Sequence, residues 1–270
     1  MDDTTRLSLG EARELIGRAL RASGVSAAAA ESVAAALVAA EAEGQVGHGF
    51  SRLEDYAAQV RSGKVNPDAD VTVEAVLPAA LLVDADHGFA YPAMDRAIAE
   101  GAKVAERLGT ASMAITRSHH CGALSVQVEK LARHGLVGMM FANAPAAIAP
   151  WGAKTPVFGT NPIAFAAPRS SGTPLVIDLS LSRVARGKVM HAKKSGTTIP
   201  DNWALDVEGN PTTDPEAALK GSMLPIGEAK GTALALMVEI LSAVMTGAVL
   251  RRGHRPFLTP TARRPAWDNS

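Results

Sequence analysis

The chain is poor in cysteine and aromatic residues, and neither sign of charge is in excess. A single cysteine, Cys121, excludes an intrachain disulfide and fits a reducing compartment. Aromatic residues make up 4%, so a core must be aliphatic, with close helix contacts supplied by the abundant alanine. Lys plus Arg and Asp plus Glu both number 27, a formal net charge of zero, which argues against a nucleic-acid partner. No apolar run reaches the ~18 residues of a membrane span, and the acidic start at Asp2 and Asp3 is unlike a secretion signal. Two nucleotide signatures are also missing: there is no G-x-G-x-x-G and no G-x-x-x-x-G-K-[ST]. These absences point to a cytoplasmic protein without a membrane or nucleic-acid partner.

What is present is a 270-residue chain with 47% hydrophobic residues, enough for one large domain or two intertwined ones. Residues 8–43 read as two helices, the first opened by a Ser8/Glu11 capping box and the second by Ser26. A third helix is expected over 51–62, short strands over 71–76 and 81–84, and a long helix over 91–108 closed by Gly109. A buried strand over 111–116, a helix over 123–133 and a strand over 136–142 follow. The Pro- and Gly-rich stretch to residue 168 reads as irregular. A strand over 175–178, a helix from Ser180 to about Lys193, loops over 195–230 and an apolar helix over 233–245 complete the reading. Strands alternating with helices give an α/β class, without requiring an all-parallel sheet.

Five short constellations could carry chemistry. His48 lies between Gly47 and Gly49, with Arg52 four residues on. The guanidinium can clamp a carboxylate in a bidentate pair while the imidazole moves a proton; a loop histidine and a solvated arginine are the plain alternative. Ser118-His119-His120-Cys121-Gly122 lies between a strand and a helix, a natural ligand or anion position, with a structural loop as the alternative. Metal binding there is disfavoured because the ligand spacing is wrong. Gly159-Thr160-Asn161-Pro162 reads as an extended turn whose Thr160 could meet a substrate. Asp178-Leu179-Ser180 reads as a helix cap or a ribose-binding carboxylate. In Pro225–Gly231, Lys230 ahead of a helix could meet a phosphate.

In order and spacing these strings resemble the malate/L-lactate dehydrogenase-like (sulfolactate dehydrogenase-like) family. The resemblance rests on GHGFSRLEDYAAQVRSGKVNP, ADHGFAYPAMDRAI, SHHCGAL, NAPAAIAPWGAKTPVFGTNPIAFAAPR, LVIDLS, GNPTTDPEAALKGSMLPIGEAKG and ALALMVEIL, which span roughly residues 8–250. It implies a non-Rossmann mixed, largely antiparallel sheet flanked by helices, with an N-terminal helical subdomain. It also implies a homodimer that uses NAD or NADP to interconvert a small 2-keto and 2-hydroxy carboxylate. The segments expected are 1–70 (helical, substrate), 71–250 (cofactor and catalysis) and an aberrant 251–270. By resemblance His48 is the proton donor and acceptor, and His120 is a second catalytic histidine. Arg52, Thr160, Arg186 and Gly187 are implied as substrate contacts. His120, Cys121, Gly122, Ala123, Leu124, Asn143, Asp178, Leu179, Ser180, Ala229 and Lys230 are implied as cofactor contacts. No metal is implied.

Two departures stand out: Gly47 replaces a serine common before the first histidine, and Lys188 replaces the aspartate of the cyclic-imine (Δ1-piperideine-2-carboxylate) reductases. Lys188 leans toward hydroxy-acid substrates, and NAPAAIAPWG with the cysteine in SHHCG resembles the 3-sulfolactate branch, whereas Gly47 and the altered tail favour a non-catalytic member. Cyclic-imine reduction and an inactive, truncated member are the other readings. The tail RRGHRPFLTPTARRPAWDNS is basic, proline-rich and patternless. Shifting the frame by one base permits Ala-Ala-Gly-Ala-Ser-Ser-Phe-Pro-Asp from the same codons. The expectation is a frameshift near Leu250 that removes a further ~60–80 residues and lowers stability and cofactor affinity; sequencing the coding DNA tests it.

Overall fold

The computed structural model describes residues 6–246, which fall into two compact units, one ending at His134 and the other beginning at Gly135. Compactness thus divides the chain at a different place from the functional division expected at residue 70. The tail over 251–270 lies outside the described residues.

The first unit opens with α1 (Leu9–Ala22) and α2 (Ala27–Ala42). The capping box forms as expected: Ser8 Oγ accepts from Glu11 N at 3.2 Å while Ser8 N donates to Glu11 Oε2 at 2.8 Å. Ser26 Oγ caps α2 by accepting from Ala29 N. Two single 3₁₀ turns, Val46–His48 and Phe50–Arg52, then lead into α3 (Leu53–Arg61). The third helix therefore starts two residues later than the expected Ser51, because these turns take up the approach. Next come β1 (Thr72–Leu77), β2 (Ala80–Asp84), α4 (Ala90–Leu108), β3 (Ser112–Thr116) and α5 (Leu124–Arg133). β2 is central, antiparallel to β1 and parallel to β3, with α4 as the crossover. Val83, Ala85, Ala93 and Ala97 form the core between sheet and helix. β3 was expected to be buried, yet it is only partly covered and Ser112 is exposed, since it lies at the sheet's edge.

The second unit holds β4 (Gly138–Phe141), β5 (Ile163–Ala167), β6 (Leu175–Leu179), α6 (Arg186–Ser195), β7 (Ala204–Leu205), α7 (Pro215–Lys220), β8 (Ser222–Met223) and α8 (Ala229–Glu239), followed by a π-helical turn, Ile240–Val244. β5 lies inside the stretch expected to be irregular. Its flanking Pro162 and Pro168 read as breakers, but antiparallel pairing on both sides makes it the central strand. The helix expected from Ser180 starts only at Arg186. The intervening amides are committed elsewhere: Leu181 N donates to Thr160 O at 2.7 Å and Arg183 N to Leu224 O at 2.8 Å. The last helix begins at Ala229 rather than 233, so Lys230 sits in its first turn instead of preceding it. The described residues thus form a mixed α/β protein with small sheets in which antiparallel pairs predominate.

Candidate active site

In the first unit, three elements bring the expected residues together. His48 closes its 3₁₀ turn by donating from N to Gln45 O at 2.7 Å, and Glu41 of α2 anchors the next turn, its Oε2 accepting from Phe50 N at 2.8 Å. Arg52, one turn on, donates from Nε to the Gly47 carbonyl at 2.6 Å, and its Nη1 lies 3.9 Å from Asp55 Oδ2. The guanidinium therefore fixes the peptide that presents His48.

The histidine loop is fixed from the sheet side. Ala85 N donates to Thr116 O, His87 N to Arg117 O, and His119 N to Gly88 O at 2.9 Å. Asp84 and Arg117 clasp each other at the strand ends. His119 and His120 then meet one face of α3, on which Tyr56 and Gln59 lie, with Arg52 four residues before Tyr56 in the preceding 3₁₀ turn. Tyr56 Oη lies 2.7 Å from His120 Nδ1 and 2.9 Å from Tyr91 Oη of α4, and Gln59 Oε1 bonds His119 Nε2. The rings of His48 and His120 stack with centroids 5.5 Å apart and planes 11° from parallel. Tyr56 and Phe89 pack edgewise on His119, at 5.2 and 5.5 Å.

Electrostatics follow from this packing. Burial, then the charges of Lys64 and Arg52, push His119 down to about 3. Burial, then His48, Arg52 and His119, hold His120 well below the usual histidine range. Burial pushes the Tyr56 and Tyr91 phenols up. At neutral pH burial therefore keeps the His119 and His120 imidazoles neutral and the Tyr56 and Tyr91 phenols protonated, beside the guanidinium of Arg52. Gly122, with φ +70°, lets the loop pass Tyr91, whose hydroxyl would collide with any Cβ there. Cys121, Gly122 and Ala123 then run into α5, which begins at Leu124 without a side-chain cap.

In the second unit the remaining positions gather along three crossing backbones. Ala142 N donates to Pro162 O, placing the exposed Asn143 beside Gly159 and Thr160. Leu181 joins Thr160 to the end of β6, and Ile226 N donates to Leu181 O at 2.8 Å, bringing Pro225–Lys230 alongside. Gly231 permits this crossing, since a Cβ would strike the Ile226 carbonyl. Asn161 was expected to be extended before proline but has φ +36°. Its buried amide explains this, donating to Ala235 O at 3.0 Å and Glu239 Oε2 at 2.9 Å. Asp178 is an exposed strand residue paired with Ala164, and Leu179 is exposed too. Ser180 is not a helix cap; its Oγ meets Ser182 Oγ at 3.1 Å. Arg186 donates to Leu219 O at 3.3 Å and opens α6 beside the exposed Gly187. Lys188 is exposed.

Each unit, taken by itself, carries groups suited to parts of a dinucleotide. α5 and α8 begin without side-chain caps, so their first amides can meet phosphate. Ala229 and Lys230 are exposed in the first turn of α8, where an ammonium suits an anion, and Asp178 is an exposed carboxylate suited to ribose hydroxyls. Among the described residues no three His, Cys, Asp or Glu side chains gather as a metal site. No described helix is long and apolar enough to cross a membrane.

Sequence reasoning missed Tyr56, Tyr91 and Gln59. A signal was there: the chain has two tyrosines, and one of them follows Arg52 at i+4.

The malate/L-lactate dehydrogenase family model matches residues 7–267. The chain belongs to that family. The match runs through most of the 251–270 segment, further than the resemblance read from the sequence. Within the family the chain is 54% identical over 260 residues to the (2R)-3-sulfolactate dehydrogenase (NADP(+)) of Chromohalobacter salexigens, covering 96% of this chain and 78% of that protein. It is 42% identical over 242 residues to a Δ1-pyrroline-2-carboxylate/Δ1-piperideine-2-carboxylate reductase of Pseudomonas aeruginosa, covering 90% of this chain and 72% of that one. The solved Δ1-piperideine-2-carboxylate reductase from Pseudomonas syringae superposes with TM-score 0.91 at 37% identity, covering 96% of this chain and 79% of that one.

Proposed function

We propose that this family member is an NAD(P)-dependent oxidoreductase acting between the nicotinamide and C2 of a small 2-keto or 2-hydroxy carboxylate of the malate, lactate or sulfolactate type. The observation that carries the reading is the cluster of His48, Arg52 and His120, two stacked imidazoles beside a guanidinium that grips the loop presenting one of them. Its family context, with a sulfolactate dehydrogenase at 54% identity, supports the same chemistry.

In this reading the nicotinamide supplies or accepts the hydride. Arg52 holds the substrate carboxylate and so turns C2 toward the reacting face. His48 gives a proton to the C2 oxygen during reduction and takes it back during oxidation. His120 is the second histidine at the oxygen. Thr160, Arg186 and Gly187 are proposed as substrate-facing positions of the second unit. Cys121, Gly122, Ala123, Leu124, Asn143, Asp178, Leu179, Ser180, Ala229 and Lys230, together with His120, are proposed to hold NAD or NADP. NADP is the choice suggested by the sulfolactate dehydrogenase relative.

The finer architecture belongs to the same proposal: a non-Rossmann cofactor site, a helical substrate segment over 1–70 and a catalytic segment over 71–250. A cytoplasmic homodimer is proposed as well. Exposed Leu175, Ile177 and Leu179 along β6 support a surface that another chain covers. Cyclic-imine reduction is the second reading, favoured by the superposition at TM-score 0.91. The lysine at 188 speaks for hydroxy acids, since the imine reductases carry an acid there by resemblance.

A panel of 2-keto acids and cyclic imines, run against NADH and NADPH at the nicotinamide absorbance band, tests the proposal. The expected result is NADPH oxidation with 3-sulfopyruvate or a related keto acid at higher kcat/KM than with any imine. Turnover confined to imines, or none at all, contradicts it.

A further inference from the structure

We propose that Tyr56 is a positioning residue that, with Tyr91, fixes His120 as the tautomer carrying its hydrogen on Nε2. His120 then acts at the substrate oxygen as a hydrogen-bond donor and not as the proton source. The inference deepens the reading above and rests on it for the substrate's presence.

The argument is a proton count. Tyr91 Oη, Tyr56 Oη and His120 Nδ1 form a line with spacings of 2.9 and 2.7 Å. Both tyrosines are at most 1% exposed, so an unbonded hydroxyl hydrogen there is costly. Two arrangements of the hydrogens exist. If His120 Nδ1 carried the hydrogen, Tyr56 would accept it and donate to Tyr91. The Tyr91 hydrogen would then have no acceptor, because its one hydrogen bond is to Tyr56. If Tyr91 donates to Tyr56 and Tyr56 donates to Nδ1, every hydrogen in the line is bonded. The second arrangement leaves Nδ1 an acceptor and puts the ring hydrogen on Nε2.

The surroundings keep that ring neutral. His120 faces His48 in its 3₁₀ turn, Arg52 in the next turn, Tyr56 on α3 and His119 on its own loop, while Asp55 and Cys121 act on Tyr56 and Cys121 on Tyr91. Two charged imidazoles stacked 5.5 Å apart beside a guanidinium would repel one another. Passing a proton on from Nε2 would finally require a phenolate at Tyr91, which burial opposes. The two histidines therefore divide the work: His120 polarises the C2 oxygen and His48 supplies the proton.

Long-range ¹H–¹⁵N NMR of the full chain labelled with ¹⁵N-histidine reads the tautomer directly, with His120→Gln for assignment. The expected result is a neutral Nε2–H ring at neutral pH. Tyr56→Phe, which keeps the ring packing, should mix the tautomers and lower kcat about tenfold, the scale of one orienting hydrogen bond, with KM for the cofactor unchanged. Tyr91→Phe should shift the same signals with a smaller loss. An Nδ1–H or charged His120 at neutral pH overturns the inference, as does a Tyr56→Phe protein whose spectrum and kcat match wild type. These spectra need no turnover, so a failure of the dehydrogenase reading would show only in the wild-type assay.

Discussion

Arg52 has two tasks at the scale of single residues, and they predict different damage. Its guanidinium is proposed to hold a carboxylate, and its Nε donates to the Gly47 carbonyl at 2.6 Å. Arg52→Ala should raise KM for the keto acid by one to two orders of magnitude, as expected for a charge-assisted bond worth ~1.5–3 kcal/mol, and should lower kcat too as His48 loosens. Arg52→Lys should not rescue it, since an ammonium lacks the planar fork. A lysine variant with wild-type steady-state constants would remove both tasks. The pairing of His48 with Arg52 was legible in the sequence because both sit on one short string. The grip of Tyr56 on His120 was not, because the partners are 64 residues apart and only the packing of α3 against the histidine loop joins them.

Among elements, legibility followed the strength of local signals. α1 and α2 were readable because Ser8 and Ser26 cap them, and α4 because Gly109 closes it. β5 was unreadable because its identity as a central strand comes from β4 and β6, not from its own proline-flanked sequence. The delayed start of α6 and the left-handed Asn161 have the same origin, tertiary hydrogen bonds overriding local preference. Asn161 ties the Gly159–Pro162 turn to α8. Asn161→Ala should therefore lower stability by ~1–3 kcal/mol, from the lost bonds to Ala235 and Glu239 and the strain of a positive φ. Urea unfolding of the variant beside wild type measures this, and a difference below about 0.5 kcal/mol would show that the tie is unimportant.

For the whole molecule, the buried histidines set the response to acid. His119 is pushed down to about 3 from an ordinary 6.5, and His120 is lowered in the same direction. The folded values lie below the unfolded ones, so the unfolded chain takes up these protons first as pH falls. Stability should be unaffected by this pair above about pH 7, then decline from about 6.5 toward 3. Thermal melts across that range should show the decline, reduced in His119→Gln; a flat profile would mean the histidines are already open to water. The α/β class and the family were legible over roughly residues 8–250, but not in the tail, which the family model also matches in large part. The division after His134 was not, since it depends on which contacts are dense rather than on any linker signal.

The central claim is that His48 is the group that exchanges the proton at C2. Its most direct test is His48→Ala, followed by steady-state turnover of a 2-keto acid and by NADPH binding measured on the same preparation. The expected outcome is a fall in kcat of about 10²–10⁴-fold with the NADPH Kd unchanged. An alanine variant that turns over at the wild-type rate would contradict it.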